Sequence, residues 1–310
     1  MKIVICICAC RHPRGLLRLL DGVDALEFDG EIAIVVVDND EKQQGIAVCE
    51  ETAAGRRWPM TWAYEGRPGI SYARNTAVRN ALEQNPAFIG FLDDDEVPAA
   101  DWLSELVRMV ALHDTDAAAG PILPVFEKTA PEWLRGKSYY NRQRFPNGAR
   151  MKVYSGGNCL VRASCFIPFM PNPFDVRLGL SGGEDSDFFE RFEIAGYSAV
   201  WADHALVHEH LTDDRLTKSW LRRRRYHLGQ TYIRVERRYR GSLRYDAERL
   251  ARASAQLLVG MAQYVFGIYH EPWRFSAELK MALATGKLSA YLGLRQEPYA
   301  RNYRQQSNQL

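Results

Sequence analysis

Apolar positions in the first hundred residues fall into short unbroken runs, each stopped by charge or turn residues. Lys2 to Cys10, Glu31 to Val37, Trp58 to Tyr64 and Phe88 to Leu92 are such runs, and runs of this length bounded by turn signals read as buried strands. Between them the period changes to that of a helix: Leu16, Leu17, Leu19, Leu20 and Val23 after the first, about 43–54 after the second, and a helix that Ser71 could cap, running to about Gln84, after the third. Asp101 to Leu112 carries Trp102, Leu103, Leu106, Val107 and Val110 on one helical face. Strands alternating with helices predict βαβ units and a mostly parallel, Rossmann-like central sheet with flanking helices, an α/β fold.

Further on, Ala117 to Phe126 includes a short strand, 127–150 reads as an irregular aromatic and basic loop, and Tyr154 to Val161 is expected as a strand containing Gly156, Gly157 and Asn158. Gly182 and Gly183 open a helix from Glu184 to Ala195 that Gly196 closes. Tyr197 to His208 carries another strand. From Thr212 the pattern turns to long helices, at about 215–240, 244–266 and 273–284. The reading therefore divides the chain into a domain over 1–212 and a basic, helical C-terminal extension over 213–310. The N-terminus reads as a strand rather than a signal peptide.

Charge sharpens that division. The formal net charge is only +2, yet residues 215–252 hold 13 Lys and Arg against 3 Asp and Glu, whereas 1–214 hold 21 against 32. An acidic body joined to a basic segment suggests two different partners. No pair of the six cysteines has CxxC spacing, and Cys6, Cys8 and Cys10 alternate as on one strand face, which reads as small buried side chains in a reduced protein, a metal site on the trio being the minority reading.

The chemistry concentrates where strands end. Phe88 to Leu92 runs into Asp93, Asp94, Asp95 and Glu96, and Val37 into Asp38, Asn39, Asp40 and Glu41. In an open parallel sheet both clusters lie on the rim formed by the carboxyl ends of the strands, where ligands bind. Four successive carboxylates call for a positive partner, and a hard divalent cation shared with a substrate's phosphates fits. A solvated acidic turn before a helix is the plainer reading. Arg74 shares a helical face with Val78, Ala81 and Leu82, so it leans inward, either toward a nucleotide phosphate or toward a nearby carboxylate. Asp185 heads the face of Phe188, Phe189 and Phe192, where an inward carboxylate could act as a general base, while Asp187 is expected to pair with Arg191 on the surface. His208 and His210 flank Glu209 with the same-side spacing of metal ligands, a structural role for each being the plainer reading.

Six pieces in order carry a resemblance: Cys-Arg-His-Pro after the first strand, VVVDNDE, RPGISYARN, FLDDDE, SGGNCLVR and GGEDSDFFER. Together they resemble the inverting glycosyltransferases of family 2, near the bacterial glucosyltransferases of succinoglycan-type exopolysaccharide synthesis. The resemblance implies the GT-A fold. It implies a nucleotide-sugar donor, UDP-linked by expectation, contacted by Asp38, Asp40, Arg67, Arg74, Asp93 and Asp94. It further implies Mn²⁺ or Mg²⁺ on Asp95, beside which His208 and His210 stand as metal candidates by their spacing alone, Asp185 as the base, and Glu184, Gly157 and Asn158 near the acceptor. The acceptor would be a saccharide or a lipid-diphosphate-linked saccharide. A sugar nucleotidyltransferase fits less well, because the first loop lacks the usual glycine-rich run, and a non-catalytic nucleotide- or glycan-binding member remains the alternative.

The basic tail has three readings. Arg222 to Arg225, Arg234, Arg237, Arg238 and Arg240 with interleaved tyrosines could be a solvated face, a nucleic-acid surface, or an attraction to an anionic inner leaflet. The acidic body argues against nucleic acid. Residues 253–270 follow directly, are 18 long and are interrupted by Gln256 and Gln263, so they read as an interfacial or core-packed helix rather than a span. The expectation is a cytoplasmic enzyme, peripheral on the inner face of the cytoplasmic membrane.

Overall fold

The computed structural model describes residues 1–126, 130–153, 155–298 and 300. The chain divides into two compact units, one of Met1–Val125, Tyr140–His210 and Pro298–Leu310, the other of Phe126–Tyr139 and Leu211–Glu297. Sequence reading assigned 126–139 to the first domain.

The first unit opens with β1 (Lys2–Ala9), α1 (Pro13–Asp24), β2 (Glu31–Asp38), α2 (Gln44–Thr52), β3 (Met60–Tyr64), α3 (Ile70–Leu82) and β4 (Phe88–Asp93). Then come β5 (Glu96–Pro98), α4 (Trp102–His113), β6 (Ala117–Ala119), β7 (Ile122–Phe126), β8 (Cys159–Arg162), α5 (Glu184–Ile194), β9 (Ala199–Trp201) and β10 (Val207–Leu211). The seven-stranded sheet has the order β3-β2-β1-β4-β8-β6-β9, and a smaller sheet has β5-β10-β7. β1 pairs in parallel with both β2 and β4, while β8 runs antiparallel to β4. The chain moves outward from β1 to β3 and then returns to β1's other side. The β1–β4 boundary is thus a topological switch point, with Cys8 opposite Asp93 at its end.

Both sheet faces are covered, which is why β2 is apolar nearly throughout. Ile3, Ile5 and Ile7 pack with Leu16, Leu19 and Trp102 on one face. Val4 and Cys6 pack with Ala73, Val78, Phe188 and Phe192 on the other. The cysteines serve as packing: all six are free, and Cys6, Cys49, Cys159 and Cys165 are buried. Burial pushes the Cys8 thiol up to about 12 and the Cys10 thiol to about 11.

Several boundaries differ from expectation. Ser71 does not cap α3. Gly69 does so at φ 129°, and a side chain there would meet the Gly179 backbone at 2.9 Å. The strand expected from Tyr154 begins only at Cys159, because 155–158 turn away as a loop, and Tyr154 lies outside the described residues, as do 127–129 of the expected loop. β5 was not anticipated: three residues are too few for any periodicity to register.

The second unit is built on α6 (Lys218–Arg240), α7 (Leu243–Phe266) and α8 (Glu271–Tyr291), each with a side-chain N-cap, from Thr217, Ser242 and His270 respectively. The arginine run of α6 is largely engaged. Arg222 pairs with Glu278, Arg223 bonds Ser219, Arg224 lies over Trp220, and Arg225 donates to the Tyr139 carbonyl. No helix among the described residues is long and apolar enough to cross a membrane.

Candidate functional site

Because β1, β2 and β4 are parallel, their carboxyl ends share one rim. The antiparallel β8 starts from the same rim, which brings the 155–158 loop there. α5 begins beside it after Gly182 and Gly183, both at positive φ (70° and 90°), a conformation glycine adopts without strain.

At the centre is Arg74, with only 6% of its side chain exposed. One arm of its guanidinium lies 3.1 Å from Asp93 Oδ1, and the other lies 3.3 Å from Glu184 Oε1 and 3.9 Å from Asp185 Oδ2. The inward lean read from the sequence therefore ends on carboxylates. Gly156 donates its N–H to Asp185 Oδ2 at 2.9 Å, and Ser186 N–H donates to Oδ1 at 2.7 Å. A Cβ on Gly156 would fall 1.7 Å from an Arg74 nitrogen, and one on Gly157 would fall 2.6 Å from the Glu96 carboxylate. The paired glycines let backbone lie against charged groups on two sides. Asp185 itself keeps 21% of its side chain exposed, so a solvent-side molecule can reach it.

Glu184, expected near an acceptor, is instead buried against Arg74. Burial and the neighbouring Asp185 push its carboxyl up to about 8, with Arg74 opposing. The folded state then holds a proton that the unfolded chain releases at lower pH. That stabilisation is complete below the ordinary carboxyl pKa and is lost as pH rises past about 8. Melting temperature should therefore fall from about pH 6 to about pH 9 more steeply in the native protein than in Glu184→Gln, which cannot lose this proton. Equal slopes would show that Glu184 is not the group responsible.

The second cluster lies beside the first. Glu96 and Glu209 stand directly opposite across β5 and β10. Arg142 Nη2 donates to Glu209 Oε2 at 2.9 Å and its Nη1 reaches Ser155 Oγ at 3.4 Å. Burial, then Asp93, raises the Glu96 carboxyl well above its ordinary range. The Asp95 carbonyl accepts from the His210 N–H at 2.8 Å. His208 and His210 share one face of β10, as their spacing implied. Among the described residues, however, no three His, Cys, Asp or Glu side chains converge to form a metal cage. The expected set of Asp95, His208 and His210 is thus not assembled. What the rim offers is oxygen donors with an excess of carboxylates over arginines. That suits a hard cation completing its shell with phosphate oxygens and water.

The β2 end corrects another expectation. Asp38 is fully buried. Its Oδ2 accepts from Gly45 and Ile46 N–H at 2.7 and 3.0 Å, and its Oδ1 accepts from Asp40 N–H at 2.8 Å. It secures the start of α2 and has no face for a nucleotide. Asp40 differs: Oδ1 meets Arg11 Nε at 3.2 Å, but Oδ2 is buried with no hydrogen-bond partner among the described residues. Such an acceptor is costly unless a ligand N–H satisfies it. Asp94 also turns structural, accepting from Cys10 N–H at 2.9 Å and lying 3.7 Å from His12 Nδ1. Arg67 stays exposed at the rim, forked on Glu65, whose carboxyl it holds down to about 2, and stacked 4.5 Å over Tyr72.

Asn158, expected near the acceptor, is fully buried. Trp102 Nε1 donates to its Oδ1 at 2.7 Å, and its Nδ2 donates to the carbonyls of Pro121 and Ala205. Asp187 is likewise buried rather than on the surface, because Arg191, which it pairs at 3.0 Å, folds back over the rings of Phe169 and Phe188. Sequence reading missed Asn39, whose side chain ties Glu65, Arg67 and Gly69 to the β2 end. It also gave no role to Arg142, for which the only signal was a basic residue in an irregular loop.

Comparison with known proteins agrees with this architecture. The family model for glycosyl transferase family 2 matches residues 4–173. Succinoglycan biosynthesis protein ExoM of Rhizobium meliloti (strain 1021) is 29% identical over 300 residues, covering 96% of this chain and 94% of that protein. Among solved structures, mannosyltransferase PcManGT from Pyrobaculum calidifontis in complex with GDP-Man and Mn2+ superposes with a TM-score of 0.62 at 18% identity, covering 94% of this chain and 87% of that one. S. aureus TarS 1-349 in complex with UDP-GlcNAc gives 0.52 at 13%, covering 94% and 92%. At these identities the solved structures establish a shared fold, that of the GT-A glycosyltransferases.

Proposed function

Because the chain belongs to glycosyl transferase family 2 and is a glycosyltransferase, we propose that it moves a sugar, with inversion, from a nucleoside-diphosphate donor to a hydroxyl of a saccharide or lipid-linked saccharide in surface or exopolysaccharide synthesis. The observation that carries this reading is Asp185. It is a partly exposed carboxylate fixed by a backbone N–H at 2.9 Å, on the rim that holds the strand-end acids.

In this reading Asp185 Oδ2 takes the proton of the acceptor hydroxyl. The oxygen attacks the anomeric carbon from the face opposite the diphosphate, the bond from that carbon to the phosphate oxygen breaks, and the nucleoside diphosphate departs with the electron pair. The preorganised rim supplies proximity. Asp95 would hold Mg²⁺ or Mn²⁺ against the diphosphate, where such an ion offsets charge growing on the leaving group. Arg74 keeps Asp93, Glu184 and Asp185 at fixed spacing and offsets the charge of the two aspartates, while Glu184 holds its proton up to about pH 8.

A melting-temperature screen of UDP-, GDP- and dTDP-sugars, each with and without Mg²⁺ or Mn²⁺, tests the donor. A ligand at about 100 times its Kd adds roughly 2.7 kcal/mol. The expected result is a metal-dependent rise with one nucleotide, UDP-linked by preference. No rise with any of them would overturn the donor assignment and favour a chain that does not bind nucleotide-sugar.

A further inference from the structure

The C-terminal half of α7 is arranged the wrong way round for a helix in water. A surface helix normally turns its polar residues outward and packs its apolar stripe. Over 253–270 the chain has no charged residue, and its two glutamines face inward. Gln256 Oε1 accepts from Lys287 Nζ at 2.9 Å, and Gln263 Oε1 accepts from Lys280 Nζ at 2.7 Å, both donors being on α8. Gly260 is buried against α8, where a Cβ would sit 2.6 Å from Met281. The outward face is then apolar: Leu258, Val259, Val265 (64% exposed) and Phe266 (84%). It continues past the helix end through Tyr269, which is fully exposed, to Trp273 on the first turn of α8.

A contiguous exposed apolar surface of this kind marks an interaction site. Its surroundings select the partner. The preceding stretch, 215–252, carries 13 basic against 3 acidic residues. A second copy laid along this face would bring two such segments together, or set one copy's arginines on the other's apolar end. An anionic bilayer meets both features at once: phospholipid headgroups attract the basic stretch, and the acyl boundary takes the apolar face. Tyr and Trp at one end suit the headgroup level. We propose that the outward face of the C-terminal half of α7, with Tyr269 and Trp273, lies in the interface of an anionic membrane without crossing it. Attraction through the basic stretch alone, the Arg222–Arg225 run included, would not need this apolar face. The proposal does not depend on the catalytic reading, since its readout is binding alone.

The test is co-sedimentation of the full chain with vesicles of phosphatidylcholine, alone and mixed with phosphatidylglycerol. The native protein should pellet with the mixed vesicles and far less with phosphatidylcholine alone. Val265→Ser with Phe266→Ser leaves every charge in place and should weaken partitioning by about tenfold or more. Both side chains are exposed, so melting temperature should not move. Arg244→Glu with Arg252→Glu should also weaken binding, and added salt should then have less effect than on the native protein. Failure of the native chain to pellet, or unchanged pelleting of the serine variant, overturns the proposal. So does a dimer in solution that the serine variant dissociates, since the face would then be covered by a second copy.

Discussion

Asp185→Asn is expected to reduce sugar transfer by about 10²–10⁴-fold, the usual contribution of a positioned general base. Affinity for the nucleotide-sugar should stay within about threefold of native, because the interaction lost belongs to the transition state. The asparagine keeps the size of the side chain and one of the two accepted bonds, from Gly156 or Ser186 N–H, but it cannot take a proton. Nucleoside diphosphate release at saturating donor, with donor binding followed by melting temperature, separates the two quantities. Normal release would remove Asp185 from proton transfer. Loss of donor binding together with release would mean that the carboxylate shapes the rim rather than reacting. Glu184 could not substitute, since it is buried and faces Arg74 at 3.3 Å.

Arg74→Met should be strongly destabilising, costing about 3–5 kcal/mol, as when one partner of a buried ion pair is removed. Methionine fills much of the same space but leaves Asp93, Glu184 and Asp185 facing one another without their shared cation. Those carboxylates, with Asp93 foremost after Glu184, hold the Arg74 guanidinium charged despite the burial that opposes it. The denaturant midpoint should therefore fall at neutral pH and recover partly on acidification, as the carboxylates protonate. Arg74→Lys should lie between, keeping the charge but losing the fork that reaches two elements. A midpoint shifted by less than about 1 kcal/mol would show the triad to be solvated rather than held by this residue.

The layout of the sheet could be read from the chain because both of its faces are covered. Runs such as EIAIVVV have one interpretation when helical periods lie between them. The rim followed from topology, and Asp185 and Arg74 from their positions on apolar helix faces. Acidic clusters were harder to resolve, since the same residue type binds a ligand, caps a helix or pins a loop. Asp38 caps α2 and Asp94 pins the Cys10–His12 segment, while Asp40 alone of the β2 acids keeps an unsatisfied oxygen. The Glu96–Glu209 pair joins residues far apart in the chain through a three-residue strand, which no local pattern announces. In the C-terminal half of α7 the absence of charge was plain, but periodicity could not say which side would face α8. The glutamines that looked like interruptions of an apolar stretch are the residues turned inward.

The packing role of the cysteines has a practical consequence. Thiolate is the reactive form of a thiol, and burial raises every cysteine in this chain, Cys49 to about 12 and Cys165 to about 11 among them. The native sequence is therefore a quiet background for maleimide chemistry. One cysteine introduced on an exposed turn would take a fluorophore or spin label selectively, without first removing the six native thiols, four of them buried.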